Sequence, residues 1–120
     1  MVAMRNIAVV GSRSFSDLEK VKMILDRLYG EIGPFRLVSG GAAGVDDTAE
    51  AWAKIRQLET NIFPADWENG GRKAGIVRNS LIVNAAEIVI AFWDGVSPGT
   101  LDTIVKAKKK KDCKVQVYLG

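Results

Sequence analysis

The stretch Ser39-Gly40-Gly41-Ala42-Ala43-Gly44-Val45-Asp46 decides how this chain folds. A short apolar run, Phe35-Arg36-Leu37-Val38, precedes it, and a helical pattern through Thr48, Ala49, Trp52 and Ala53 follows. Strand, glycine-rich turn and helix in that order place unpaired backbone N–H groups at the positive end of a helix. Glycines there let the main chain approach a ligand without Cβ atoms in the way. The natural guest of such a turn is an anion, most often a phosphate. Taken alone the turn has an equally plain explanation as a tight βα connection, since glycine turns are common in α/β folds. Two more loops of the same character favour a ligand.

Working outward, Arg5 to Val10 reads as a first strand, with Ile7-Ala8-Val9-Val10 apolar throughout, as a strand buried on both faces requires. Gly11-Ser12-Arg13-Ser14-Phe15 is its exit loop. Ser16 with Glu19 matches a capping box, and Leu18, Val21, Ile24, Leu25 and Leu28 form the inward stripe of a helix that Gly30 and Gly33-Pro34 end. The second strand spans about 35–39 and its helix about 45–57. Glu59 to Phe63 is a third strand, followed by a polar loop over Ala65-Asp66-Trp67-Glu68-Asn69-Gly70-Gly71. A third helix over roughly 72–85 is expected to turn Ile76, Val77, Leu81 and Ile82 inward. Glu87 to Phe92 is the fourth strand, with Trp93-Asp94-Gly95-Val96-Ser97-Pro98-Gly99-Thr100 as its exit loop. Ser97 as N-cap and Pro98 at the first helical position start the fourth helix, whose expected inward residues are Leu101, Ile104, Val105 and Ala107. Lys114 to Leu119 is the last strand.

Regular alternation of five strands and four helices predicts one α/β domain over residues 1–120, a Rossmann-like parallel sheet with helices on both faces. Right-handed crossovers favour a doubly wound order 3-2-1-4-5. Ligands of such sheets bind at the carboxyl ends of the strands, where the winding reverses. The loops after strands one, two and four lie there, and these are the loops rich in Gly, Ser and Arg.

Composition narrows the chemistry. The chain has 120 residues, 48% hydrophobic and 26% charged, values typical of globular proteins. No apolar run approaches the roughly 18 residues of a membrane span, and no secretory pattern opens the sequence, so a cytoplasmic protein with no membrane partner is expected. With no histidine, Ser-His-Asp and Cys-His catalysis and histidine metal sites are excluded. The single cysteine, Cys113, excludes an internal disulfide and reads as a small core residue. The formal charge of +3 owes much to Lys106, Lys108, Lys109, Lys110, Lys111 and Lys114, which suit a helix C-terminus.

Three loops build the candidate site. Ser39, Gly40, Gly41, Ala42 and Gly44 cradle one phosphate. Ser97, Gly99 and Thr100 offer a second helix N-terminus with two hydroxyls. Gly11, Ser12 and Arg13 leave the central strand between them, Arg13 being suited to bidentate pairing with phosphate. Arg78 and Asn79 add charge and polarity from the third helix. Asp46 suits either the helix dipole or a ribose hydroxyl. Trp93 or Trp67 can serve as a base platform, and Asp94-Gly95 as a turn. Asp46, Asp94 and Asp102 are the candidate acid/base residues if the protein turns its ligand over. Mg2+ beside the phosphates has only Asp46, Asp47, Asp94 and Asp102 to call on, without a fixed-spacing motif. Neither a Walker P-loop nor a dinucleotide fingerprint occurs.

These motifs, in their order, resemble the YspA/cpYpsA-related branch of the SLOG superfamily. The resemblance rests on Gly11-Ser12-Arg13-Ser14-Phe15, Ser39 to Asp46, Ala65-Asp66-Trp67, Gly75 with Arg78-Asn79, and Ala91-Phe92-Trp93-Asp94-Gly95 to Ser97-Pro98-Gly99-Thr100. That superfamily takes in the DNA-processing protein Smf (DprA) and the Lonely guy phosphoribohydrolases, and many members come from bacteria and phages. The resemblance implies a compact Rossmann-like domain binding a nucleotide-related ligand, often as a sensor. Lonely guy enzymes carry Pro-Gly-Gly-x-Gly-Thr-x-x-Glu. Aligned on Gly99-Thr100, the glutamate falls at Thr103, with Asp102 one residue early, so hydrolysis by that mechanism is not implied. A binding module for a phosphate-bearing nucleotide or its derivative is therefore the expectation, ahead of a nucleotide or N-glycoside hydrolase. Single-stranded nucleic acid, as in the DNA-processing proteins, is the other rival. The lysine cluster, at the far end of its helix from the loops, argues against one continuous DNA groove. Self-association as a homodimer or larger homo-oligomer is also expected, and a sedimentation run showing only monomer at micromolar concentration would refute it.

Overall fold

A computed structural model describes residues 4–71 and 73–120. Five parallel strands, β1 (Asn6–Gly11), β2 (Arg36–Ser39), β3 (Thr60–Ile62), β4 (Ile88–Trp93) and β5 (Lys114–Leu119), lie in the order β3-β2-β1-β4-β5. The helices are α1 (Leu18–Ile32), α2 (Val45–Ile55), α3 (Trp67–Gly70), α4 (Lys73–Ala85) and α5 (Pro98–Lys109). This is the doubly wound domain that the alternation of elements predicts.

The apolar strands are continuous because each serves two cores. Ile7 and Val9 point to one face with Leu37, Ile90 and Phe92, where they pack on Val21, Leu25, Ala49 and Trp52 of α1 and α2. Ala8 and Val10 point to the other face with Val38, Val89 and Ala91, against Ile82, Val83, Ile104 and Ala107 of α4 and α5. Side chains alternate along a strand, so a strand covered on both sides has no polar positions to spare. Cys113 is half-buried beside the second core.

Several boundaries differ from the expected ones for local reasons. Asp17, not Ser16, caps α1: its carboxylate accepts from the Lys20 N–H. The helix runs through Gly30 to Ile32 and ends at Gly33, because a single glycine costs only about 1 kcal/mol inside a helix. α2 stops at Ile55, two residues early, with Gln57 in the left-handed region at φ 56°. β3 keeps only three residues of the expected five. The loop after β3 contains a short helix, α3, capped by Asp66, whose carboxylate accepts from the N–H and Nδ2 of Asn69. Arg72, expected to open the next helix, lies outside the described residues.

The inward faces of α4 and α5 also differ. Ile76, Val77 and Leu81 are exposed, and the buried residues of α4 are Ala74, Asn79, Ile82 and Val83. On α5, Leu101 and Val105 are exposed while Thr100, Thr103, Ile104 and Ala107 face in. Both helices turn small or polar side chains inward near their N-termini, where they border the crevice described next.

Candidate nucleotide-binding crevice

The carboxyl ends of β1, β2 and β4 frame a crevice of about 760 Å³ at the point where the winding reverses, within the usual range for small-molecule sites. Its floor begins at β1. Gly11 is the last β1 residue, and a Cβ there would lie 2.5 Å from Cγ2 of the fully buried Val45. Glycine is thus what lets the first turn of α2 close over the end of the central strand. Ser12 follows, buried, with its N–H donating to the Phe92 carbonyl at 2.9 Å. Its hydroxyl shares a 3.1 Å hydrogen bond with that of Thr100 and accepts from the Asp94 N–H at 3.2 Å. The exit of β1 is thereby tied to the loop after β4.

That loop is organised by Asp94. Its carboxylate accepts from the Ser14 and Ser97 hydroxyls and from the N–H groups of Ser97 (2.7 Å) and Val96 (2.9 Å). These donors, the Ser14 and Ser97 hydroxyls foremost, hold its pKa far below the usual carboxylate range. Asp94 therefore stays ionised and fully engaged, which does not suit it to proton transfer. Ser97 occupies the N-cap position of α5 but makes no side-chain cap; its hydroxyl goes to Asp94 instead. Pro98, Gly99 and Thr100 then bring the positive end of α5 to the crevice.

On the opposite side, Gly44 adopts φ +87°, a conformation costly for any residue with a Cβ, and turns the chain into α2. Asp46 follows, 5% exposed, accepting from the Ala42 N–H at 3.2 Å. Burial raises its pKa from 3.8 to about 6, against the opposing pull of that hydrogen bond and of the Arg78 guanidinium. Ser39 is fully buried and donates its hydroxyl to Glu50 at 2.6 Å.

Arg78 and Asn79 connect the two sides. Arg78 Nη1 donates to the Gly40 carbonyl at 2.9 Å and Nε to Asn79 Oδ1 at 3.2 Å. Asn79 Nδ2 donates to the Gly99 carbonyl and to Asp102 Oδ2, each at 3.1 Å, and Lys106 pairs with that same oxygen at 2.9 Å. Two adjacent residues of α4 thus strap the glycine turn after β2 to the first turn of α5. A Cβ on Gly40 would lie 2.5 Å from Arg78 Nη1 and 3.0 Å from Asp46 Oδ2, so glycine makes room for both.

Of the sequence-predicted residues, Gly11, Ser12, Arg13, Ala42, Asp46, Arg78, Asn79, Asp94, Ser97, Gly99, Thr100 and Asp102 line the crevice. Ser39, Gly40, Gly41, Gly44, Trp93 and Gly95 stand behind or beside it. Trp93 packs against the second core and donates Nε1 to the Ser97 carbonyl at 3.0 Å. Arg13 is exposed and has no hydrogen-bond or ion-pair partner among the described contacts. Trp67, Gly75, Ile76, Ile82 and Thr103 also line the crevice; in the sequence Trp67 is the alternative to Trp93 as a base platform, Gly75 belongs to the motif with Arg78-Asn79, and Thr103 is the position aligned with the Lonely guy glutamate. Among the described residues no cluster of three metal-ligating side chains occurs, and no helix is long and apolar enough to cross a membrane. At the far end of α5, Lys110 donates to the Val83, Asn84 and Ala86 carbonyls, capping α4.

The model of the YspA, cpYpsA-related SLOG family matches residues 5–70. The gene 61 protein of Mycobacterium phage D29 is 39% identical over 113 residues, covering 88% of this chain and 90% of that protein. Among solved structures, DNA processing protein A from Helicobacter pylori, described by its single-stranded DNA binding mode, aligns over 94% of this chain with a TM-score of 0.66 and 20% identity. DprA from Streptococcus pneumoniae aligns over 93% with a TM-score of 0.59 and 20% identity. The chain spans 64% and 58% of those two proteins, and the likeness is one of fold.

Proposed function

The chain belongs to the YspA, cpYpsA-related SLOG family, and we propose that its crevice binds a phosphate-bearing nucleotide or nucleotide-derived small molecule. The observation that carries this is the exposed guanidinium of Arg13, without a protein partner among the described residues, lining the same crevice as the Ser12–Thr100 hydroxyl pair and the N-terminus of α5. A guanidinium, hydroxyls and a positive helix end are the donors an anionic phosphate requires. Arg78, by contrast, spends two of its donors on Gly40 and Asn79, and supports the site rather than the ligand. Asp46 and the Oδ1 oxygen of Asp102, whose Oδ2 already accepts from Asn79 and Lys106, suit hydroxyl groups of a sugar.

A second function, binding of single-stranded nucleic acid, is favoured by the fold shared with the Helicobacter pylori protein. A crevice of mononucleotide dimensions then takes one unit of a strand. The lysines of α5 contribute less to such a groove than their number suggests, since Lys106 and Lys110 are held by Asp102 and by α4 carbonyls.

Thermal shift against nucleotides, cyclic nucleotides, ADP-ribose and short oligonucleotides, at low and high salt, tests both. A small ligand at about a hundred times its Kd stabilises by roughly 2.7 kcal/mol, and Arg13→Ala is expected to abolish that shift. Binding confined to oligonucleotides, with steep loss at high salt, would select the second function. No shift with any compound would overturn both.

A further inference from the structure

Trp67 lies at the mouth of the crevice on the four-residue α3, half exposed at 52%. Half-exposed tryptophan on a short helix is usually explained by packing, and here one packing contact is made by a ring edge. A Cβ built on Gly75 would lie 3.1 Å from Trp67 Cη2, 3.7 Å from Cζ3 and 4.0 Å from Cζ2. The six-membered edge of the indole thus rests on the one residue of α4 that lacks a side chain. Its π faces are not consumed by that contact, and no aromatic or cationic partner lies on them among the described residues. The backbone beneath is fixed, because Asp66 caps α3 from the residue immediately before the tryptophan. Next to it the crevice wall is apolar, formed by Ile76 and Ile82.

Trp52 and Trp93 are differently placed. Trp52 is buried between Phe35 and Tyr29 with Arg56 over its ring, and Trp93 is tied to the Ser97 carbonyl outside the crevice lining. Of the three, Trp67 alone lines the crevice and is half exposed.

We propose that Trp67, seated on Gly75, is the stacking platform for a planar heteroaromatic ring, and that it makes the crevice selective for ligands carrying a nucleobase over sugar phosphates without one. This rests on the phosphate-binding function proposed above and adds the other end of the ligand. The base can belong to a free nucleotide or to one unit of a strand. Gly75 is a positioning residue: a methyl group there would make the ring edge give by a few tenths of an ångström.

The test is calorimetric titration of the full chain with AMP, ribose 5-phosphate and a short single-stranded oligonucleotide, using wild type, Trp67→Phe, Trp67→Ala and Gly75→Ala. Wild type is expected to prefer AMP or the oligonucleotide over ribose 5-phosphate. Trp67→Ala is expected to weaken the base-bearing ligands by about tenfold to a hundredfold, to leave ribose 5-phosphate unchanged, and to be partly rescued in Trp67→Phe. Gly75→Ala is expected to fall between them. Trp67 is half exposed, so the two Trp67 variants should keep the wild-type melting temperature, which is checked in the same samples. Whether AMP or the oligonucleotide shows the loss identifies the source of the base. Base-bearing ligands bound equally well by wild type and Trp67→Ala would overturn the platform while leaving the phosphate site standing. Binding of none of the three would overturn both.

Discussion

Replacing Asp46 by Asn should stabilise the protein, increasingly as the pH rises from about 4 to 6. Asp46 is 5% exposed, and its pKa is raised from 3.8 to about 6, chiefly by burial. The native state therefore holds this proton more tightly than the unfolded chain does. Between pH 3.8 and 6 the native state binds more protons, so stability falls as pH rises through that window. At about 1.36 kcal/mol per pKa unit, the rise amounts to a penalty of at most about 3 kcal/mol, fully present by pH 7 to 8 and gone only well below the unfolded pKa of 3.8. Asparagine keeps an oxygen for the Ala42 N–H and carries no charge to desolvate. Urea unfolding of both proteins at half-unit steps from pH 3.5 to 8 reads the difference directly. Near pH 3.5 the two curves should coincide to within the cost of reshaping the amide. By pH 7.5 the Asn variant should be more stable by up to about 3 kcal/mol. A difference that is flat across the range, or a wild type that is the more stable at pH 8, would show that the carboxylate is better compensated than its burial implies. Such a charge, retained at a stability cost in a crevice wall, is the pattern expected where selection acts on ligand contact rather than on stability.

Two further substitutions examine the frame around the crevice. Gly11→Ala should destabilise by about 1–3 kcal/mol in urea melts, because its Cβ collides with the buried Val45. The double variant Gly11→Ala with Val45→Ala should recover part of that loss, and a loss below about 0.5 kcal/mol in the single variant would mean the close approach is absent. Asp94→Ala should leave the sheet intact but release the loop after β4, since four donors lose their acceptor. Hydrogen exchange at the Val96 and Ser97 amides is expected to rise at least tenfold, with core amides of β1 and β4 unchanged; unchanged exchange at those two amides would refute the role given to the carboxylate.

The sheet was legible in the sequence because its strands obey one constraint at a time. Ile7 to Val10 and Ile88 to Phe92 are apolar throughout, the glycine and serine loops punctuate them, and right-handed crossovers leave few orders to choose among. The helices over the second core were legible in position but not in rotation. In α4 the apolar residues Ile76, Val77, Leu81, Ile82 and Val83 encircle the axis, so periodicity could not tell which side faces the sheet. The chosen stripe placed Ile76, Val77 and Leu81 inside, and all three are exposed. What decides the rotation is the crevice: Gly75, Arg78 and Asn79 must reach it, and that requirement has no hydrophobic signature. The same holds for α5, where Thr100 and Thr103 face inward in place of Leu101 and Val105.

Within the site, composition identified the loops but not the destinations of their side chains. Ser39 satisfies Glu50, and Arg78 satisfies a carbonyl 38 residues away; a serine or arginine spent in this way is indistinguishable in sequence from one awaiting a phosphate. The two tryptophans make the point more sharply. Each follows a strand, and Trp93 precedes Asp94-Gly95 while Trp67 follows Asp66, so local context ranked them equally. The discriminating residue is Gly75, eight positions beyond Trp67 and across a turn, where the absence of a side chain is itself the contact. Gly30 of α1 carries the cost of about 1 kcal/mol relative to alanine with nothing near it, whereas a Cβ on Gly75 would press on a neighbour. Here the neighbour is the six-membered edge of the Trp67 indole, so the contact that seats the ring on α4 is written in the sequence only as a missing side chain.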